Sequence, residues 1–553
     1  MGLPLLSCII LLPLIGSLVA AVVKWENGIK YWATGISAIQ LLTLIYAGTK
    51  FDHSASSFQW NEELNWIQLP LGSLGEFVIK YSLGLDGLSF LLIALTGFIS
   101  FLAIINSHSI QEKKGAYFSL VLLLNAALMG CFLSRDLFLF YVFFEFMLLP
   151  MYFLIGIWGG PRKNYASIKF FLYTLIGSLF ILIVMLGISL AYIDPYETAK
   201  HLGLIQEGQN FDLEALKNIQ TAIANKEIAN FDLVHSFDMQ ALSDVNNCQT
   251  TSILHPNSGW LLNGLSARMW GFWLLFIGFA IKLPMVPLHT WLPDAHVEAP
   301  TPISVILAGV LLKIGAYGWL RTAIPFFPKE ALESANIMAA LGAISIIYGA
   351  YNALAMSDFK KLVAYSSVSH MGFVLLGIAS FQAEGWQGAI YQLVSHGILS
   401  SLLFLVVGVL YERTHDRQID HYAGIASLMP RFTLISGIAI FASLGLPGFS
   451  GFIGEFFSLL GAFTSPYIHP AWAVLGAFGI LLGAGYFLWT FQKVYLGKTN
   501  LFNTAWKLPD LNRLEIFSLF SLGILSILFG ILPQLILDWS KYFVSNFLTT
   551  LPY

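Results

Sequence analysis

The chain has 553 residues, of which 57% are hydrophobic and 11% charged, and its formal net charge is -3. Soluble domains carry about 25% charged residues, so a soluble globular protein with a single anchor is excluded. The small net charge gives no electrostatic footprint for a nucleic-acid partner, and three cysteines without a CxxC pair give no iron–sulfur or zinc ligand set.

A membrane span needs roughly 20 apolar residues. On that basis about fourteen transmembrane helices are expected, centred near residues 12, 40, 94, 125, 147, 182, 280, 312, 346, 371, 400, 442, 482 and 525. The N-terminus is apolar through Val23, and its first charge is Lys24. It lacks the basic start and the clear cleavage site of a signal peptide, so it reads as the first span. Connections alternate in charge. One set carries Lys24, Lys30, Lys113, Lys114, Arg162, Lys163, Lys169, Lys360, Lys361, Arg413, Arg417, Arg431 and Lys493. The positive-inside rule places this set in the cytoplasm or its equivalent and both termini on the other side.

The longest connection, Asp194 to Ser266, then lies outside. It holds nine Asp/Glu and three Lys/Arg. Asn210–Ala224 and Asp232–Leu242 have the pattern of short amphipathic helices. The loop reads as an elaboration that packs on the rest of the protein.

Helices four to eight and nine to thirteen form two consecutive five-helix blocks. Five is odd, so the blocks enter the membrane from opposite sides, the geometry of inverted repeats. The expected organisation is residues 1–110 for the first three helices, 116–321 for the first repeat and 336–496 for the second. Residues 497–553 supply an inside loop, helix fourteen and an outside tail. The fold class is all-α, polytopic. The seventh and twelfth helices are interrupted, at Lys282-Leu283-Pro284 with Pro287 and at Gly445-Leu446-Pro447-Gly448. Proline removes a backbone donor and clashes with the preceding turn. Such breaks at membrane depth line cavities.

Ionisable groups stand in otherwise apolar helices. Each Lys at mid-bilayer costs about 2.5–3.5 kcal/mol on translocon scales, and such residues mark proton or ion paths. Lys282 lies in the apolar run 270–288 and Lys313 in 303–319. Glu145 is the one charge in 137–157, and His396 lies in the apolar run 389–409. His370 is nearer a loop, and Glu455 follows the second break. An imidazole titrates near physiological pH, which suits a proton shuttle. His396 and His370 also fit the blander reading of hydrogen-bonded core histidines. His289 and His296 flank Asp294, and hydrogen bonds that hold the loop are preferred there to a metal site.

The run from Lys282 to Pro302, KLPMVPLHTWLPDAHVEAPTP, resembles the signature of the antiporter-like subunits of proton-pumping NADH:quinone oxidoreductase, respiratory complex I. Asp358–His370 and Gly445–Phe456 extend the resemblance over nearly the whole chain. The same superfamily includes multisubunit cation/proton antiporters. Glu455 on the broken twelfth helix, where the L and N types carry Lys, is similar to the M type. The absence of a long lateral helix after helix fourteen also disfavours the L type.

The resemblance implies a proton-translocating subunit with Glu145 paired to Lys282, Lys313 as central relay, His396 and His370 beyond it, and Glu455 as terminal acceptor. Opposite charges 4 Å apart at an effective dielectric of 20 attract by about 4 kcal/mol, enough for such a pair to act as a protonation switch. It also implies L-type and N-type partner subunits in a lipid bilayer, with a bacterial inner membrane favoured. NADH, flavin, iron–sulfur clusters and quinone are expected in partner subunits, with no cofactor or metal in this chain. Rival readings are a cation/proton antiporter subunit without redox partners, a solute transporter of the inverted-repeat class and a structural assembly subunit.

Overall fold

The computed structural model describes residues 4–23, 28–53, 58–205, 213–225, 227–503 and 506–549. Lys24, expected to end the first span, falls outside them. Among the described residues, eleven helices are long and apolar enough to cross a membrane. They are α1 (Leu5–Val22), α3 (Gly87–Ser109), α4 (Lys114–Leu133), α5 (Leu137–Trp158), α6 (Lys163–Ala191), α8 (Thr301–Phe326), α9 (Ala335–Ala355), α10 (Phe359–Ala379), α11 (Ala383–Thr414), α13 (Ala471–Tyr495) and α14 (Arg513–Ile531). The three remaining expected centres fall on helices of a different kind. Residue 40 lies in α2 (Ile29–Lys50), which is long but less apolar. Residue 280 lies in α7a (Ala267–Lys282), which is followed after a break by α7b (Trp291–Glu298). Residue 442 lies in α12a (Pro430–Ser443), and α12b (Ser450–Thr464) follows the second break.

Helix contacts use the two devices that work without a hydrophobic drive between helices, namely small residues and internal polar bonds. A Cβ on Gly349 would stand 2.6 Å from the backbone nitrogen of Ser369, and one on Gly372 would stand 2.7 Å from the Gly342 carbonyl. These glycines let α9 and α10 approach at backbone distance. At the other end of the protein, Asn125 donates to Gln40 Oε1 at 2.6 Å, and Gln40 donates to the Ile9 carbonyl at 2.9 Å. One buried string thus ties α4, α2 and α1.

One face carries a cap with a small sheet that the sequence reading did not anticipate. β1 (Gln59–Pro70) pairs antiparallel with β2 (Glu76–Leu85), and β3 (Val234–Ser236) adds to β2 in parallel, with Glu76 opposite Val234. The expected amphipathic helix over 232–242 is therefore corrected. Its first half is a 3₁₀ turn and then β3, and only Met239–Ser243 is helical, capped by Asp238. The edge of β2 supplies backbone partners that a helix would forgo. Leu213–Ala224 is helical as expected, and residues 210–212 lie outside the described residues.

Lys80, buried on β2, binds Glu197 Oε1 at 2.7 Å and joins the sheet to the long loop. Burial opposes its charge, but Glu197, Asp194 and Glu63 outweigh burial and raise its pKa. A further helix follows α14. α15 (Gln534–Thr549) lies across α3 and α11, with Trp539 stacked on Phe90 at 4.0 Å between ring centroids.

Candidate functional site

The first group of ionisable residues forms around the break in α7. Lys282 ends α7a and is 1% exposed, with Nζ 4.2 Å from the centroid of the Phe144 ring. Its ammonium has no hydrogen-bond partner among the described residues. Glu145, one residue beyond Phe144 on α5, is half-buried, and its Oε1 is likewise unpartnered. Glu145 and Lys282, the expected pair, lie within electrostatic reach of one another, and no hydrogen bond joins them among the described residues. The aromatic ring of Phe144 takes the cation face-on, a cation–π contact in place of the carboxylate. The broken backbone is satisfied by protein groups, as a break at membrane depth requires. Trp291 Nε1 donates to the Ile281 carbonyl at 2.8 Å, and Val286 N donates to Ser345 Oγ at 3.1 Å.

α7b is fixed from several sides. Lys169 binds Asp294 at 2.8 Å, and Arg162 N donates to Glu298 Oε2 at 2.9 Å. Arg417 donates to the Val297 carbonyl at 2.6 Å, and Lys360 donates to that of Ala299 at 2.8 Å. Two sequence expectations change here. Lys360, assigned to a basic loop, is 2% exposed and turns inward at the start of α10. His296, expected to hold the loop by hydrogen bonds, is 0% exposed, has both ring nitrogens unpartnered among the described residues and stacks on Phe404 at 4.5 Å. His289 Nδ1 is also unpartnered. His296 lies within electrostatic reach of Lys360 on one side and Lys313 on the other. Both residues were visible in the sequence, but their depth follows from packing that a local pattern does not encode.

The second group lies close together around one small cavity. Lys313, 0% exposed, sits in α8 between two π-helical turns, Leu307–Leu311 and Trp319–Ala323. π-turns are wide, rare and frequent at functional sites. Lys313 Nζ reaches the Ala308 carbonyl at 2.5 Å and His396 Nδ1 at 2.8 Å. A charged ammonium only donates, so a charged Lys313 requires His396 Nδ1 to accept. If His396 Nδ1 carries the proton, Lys313 must be the acceptor. The contact therefore holds one shared proton.

His370 comes next, with its ring centroid 5.6 Å from that of His396. Its Nε2 is 3.2 Å from the Ser443 carbonyl and 3.5 Å from Glu455 Oε1. Ser443 ends α12a, so the break frees the carbonyl that His370 uses. A Cβ on Gly445, inside the break, would stand 2.8 Å from Glu455 Oε2, and this glycine has φ +78. Glycine is what lets the carboxylate lie over the break. His370, His396, Glu455, Gln392, Ser366 and Ser400 line a cavity of about 10 Å³. A single water needs roughly 10–15 Å³.

Lys313, His396, His370 and Glu455 are thus brought together, and Glu145 with Lys282 stand apart from them. α7a and α8 nevertheless touch. A Cβ on Gly315 would lie 2.6 Å from the Phe279 carbonyl and 2.7 Å from Leu283 N. Among the described residues, no group of three or more His, Cys, Asp or Glu could hold a metal ion.

Residues 134–194 and 237–484 match the family model described as NADH:quinone oxidoreductase/Mrp antiporter, TM. NADH-quinone oxidoreductase subunit M of Rickettsia bellii is 39% identical, with 99% of each chain covered. The chain belongs to the subunit M family of NADH-quinone oxidoreductase. It is a multi-pass membrane subunit of that enzyme complex, and its buried acid–base series is consistent with proton translocation. Among solved structures, a chain of respiratory complex I from Thermus thermophilus with bound NADH is 28% identical at a TM-score of 0.77, covering 99% of this chain and 100% of that one. A chain of the Mrp complex from Dietzia sp. shares the fold, with a TM-score of 0.76 at 19% identity over 99% and 98% of the two chains. The stretch 195–236, which includes β3 and the helix Leu213–Ala224, lies between the two segments that match the family model.

Proposed function

We propose that this subunit moves protons through Lys313, His396, His370 and Glu455, gated by the charge state of Glu145 and Lys282. The observation that carries the proposal is the 2.8 Å contact between Lys313 Nζ and His396 Nδ1. It is a buried pair of bases that shares one proton. A proton arriving on Lys313 passes to His396 along this hydrogen bond. It crosses the cavity to His370 by way of water, and Glu455 accepts it 3.5 Å further on. Each group on the route both takes and gives a proton.

Lys282 supplies the switch. A cation that rests on an aromatic ring, with a carboxylate near but not bound, changes its hold on the proton when either partner moves. That change reaches Lys313 through the tight contact of α7a and α8. The two five-helix blocks, 116–321 and 336–496, act as inverted repeats, one for uptake and one for release. The basic connections face the cytoplasm, and the cap and both termini face the periplasm of a bacterial inner membrane. NADH, flavin, iron–sulfur clusters and quinone belong to other subunits, and L-type and N-type subunits flank this one. No redox step occurs in this chain.

Lys313→Met tests the reading. In the assembled complex in liposomes it should abolish NADH-driven proton uptake by this subunit and lower the number of protons moved per NADH. An assembled variant with the wild-type ratio would remove Lys313 from the path.

A further inference from the structure

Beneath the cap lies a vestibule of about 1260 Å³, lined among others by Lys80, Arg135, Asp194, Arg268, Arg321 and Trp539. The end of α8 forms part of its wall. Residues 313–318 are α-helical and continue into the second π-turn, so Lys313, Tyr317 and Arg321 follow one another on neighbouring turns.

A hydrogen-bonded string runs from Tyr317, one turn beyond Lys313 on α8, into the vestibule. Tyr317 Oη donates to the Phe132 carbonyl at 2.9 Å and lies 3.1 Å from Ser89 Oγ. Ser89 Oγ accepts from Arg321 Nη2 at 3.1 Å, and the guanidinium binds the Asp86 carboxylate. Asp86 and Arg321 both line the vestibule. The hydroxyls and the carboxylate of this string can each accept a proton. The guanidinium cannot, because it has five donors, no acceptor and stays charged.

The guanidinium is also enclosed. Its carbon lies 5.0 Å from the ring centroid of Phe58, 5.3 Å from that of Tyr317 and 4.9 Å from that of Phe543. Phe58 precedes β1, and Phe543 belongs to α15. Three separate elements thus close aromatic surface around one cation whose own hydrogen-bonding partners lie on the start of α3.

We propose that Arg321 is a proton barrier that seals Lys313 from the vestibule, so that a proton on Lys313 leaves only toward His396. The proposal rests on the reading that Lys313 carries protons. It assigns Arg321 a positioning role outside the relay, and it gives α15 and the strand β1 a function as walls of the seal. A fixed, non-titratable charge that repels an incoming proton is the device other channels use to exclude protons.

The test uses the intact complex in liposomes, with an imposed pH gradient and no NADH. Arg321→Met removes the charge and keeps most of the bulk. It should raise passive proton conductance about tenfold, the equivalent of about 1.4 kcal/mol of barrier. Arg321→Lys keeps the charge and should remain tight, a rescue that mere loss of packing would not allow. In Lys313→Met/Arg321→Met the leak should disappear, because the route no longer reaches the relay. A tight Arg321→Met complex would overturn the barrier. So would a leak that persists in the double variant, and neither result bears on whether Lys313 pumps. If Arg321→Met does not assemble, Phe543→Ala carries the test, because it opens the ring cage and leaves the ion pair. Tight vesicles from that variant would overturn the proposal.

Discussion

The two halves of the site are made of the same kinds of side chain and differ in contact. In the second half, Lys313 touches His396 at 2.8 Å, and Glu455 comes within 3.5 Å of His370. In the first, Lys282 and Glu145 are neighbours without a bond, and Phe144 takes the place of the anion at the lysine. A series of bases within reach of one another, directly or across one water, suits conduction. A buried, unpartnered lysine beside a half-buried carboxylate does not, but it is costly in any one arrangement and so responds to small movements. On the proposed path, conduction belongs to α8, α10, α11 and α12b, and control to α5 and α7a.

The strongest way to break this comparison is to interrupt the touching half. His396→Phe keeps the ring volume and removes both nitrogens. Proton transfer through this subunit should fall by about a hundredfold, the low end for a positioned proton-transfer group, and the number of protons moved per NADH should drop. Assembly, checked by co-purification of the other subunits, should be normal. Near-normal pumping would mean that contact in this half is not conduction.

A smaller effect should sharpen the first half. Lys282→Met and Glu145→Gln should each impair pumping, and the double variant should be little worse than Lys282→Met alone. Groups that act as one switch show coupling in a double-mutant cycle, typically of about 0.5–3 kcal/mol. Additive losses would show that the carboxylate and the lysine act separately.

The smallest effect concerns the cap, which differs from both halves in having its buried charges paired. Burial, and then the charge of Asp238, lift Asp194 to about 6. Burial lifts Asp136 to about 7, against the hydrogen bonds from Leu139 N and Lys80 N. A carboxyl raised in the folded state contributes stability that is full below the ordinary carboxylate pKa of about 3.9 and is lost as pH rises through the folded value. The cap should therefore resist proteolysis better at pH 5 than at pH 8. Asp194→Asn, which can still cap the helix Pro195–His201, should flatten that dependence. A cap equally resistant at both pH values would contradict the sign.

What could be read from the sequence follows from how local each signal is. Glu455 was legible because a Gly-Leu-Pro-Gly break stands before it, and His396 because it is the one histidine in a long apolar stretch without Asp, Glu, Lys or Arg. Lys282 was legible for the same reason, but its ring contact was not, because Phe144 comes from a helix more than a hundred residues earlier. Lys360 sits beside Lys361 and reads as a loop pair. Asp358 starts α10 there by accepting from Lys361 N, and the first lysine is carried inward. The hairpin was missed because β1 is largely exposed and carries Asn61, Glu62 and Glu63 without a clean alternation. Its partner strand is buried on both faces along most of its length, which hides the period of two. Arg321 reads as an ordinary helix-end arginine until Phe58, Phe543 and Asp86 are folded around it.

The most direct test of the central claim is the protonation of Glu455 during turnover, followed by infrared difference spectroscopy of the complex in its membrane on addition of NADH. The account predicts a carboxyl band that changes on turnover, is absent in Glu455→Gln, and is lost in His396→Phe because the proton no longer arrives. A band that persists unchanged in His396→Phe would contradict the path from Lys313 to Glu455.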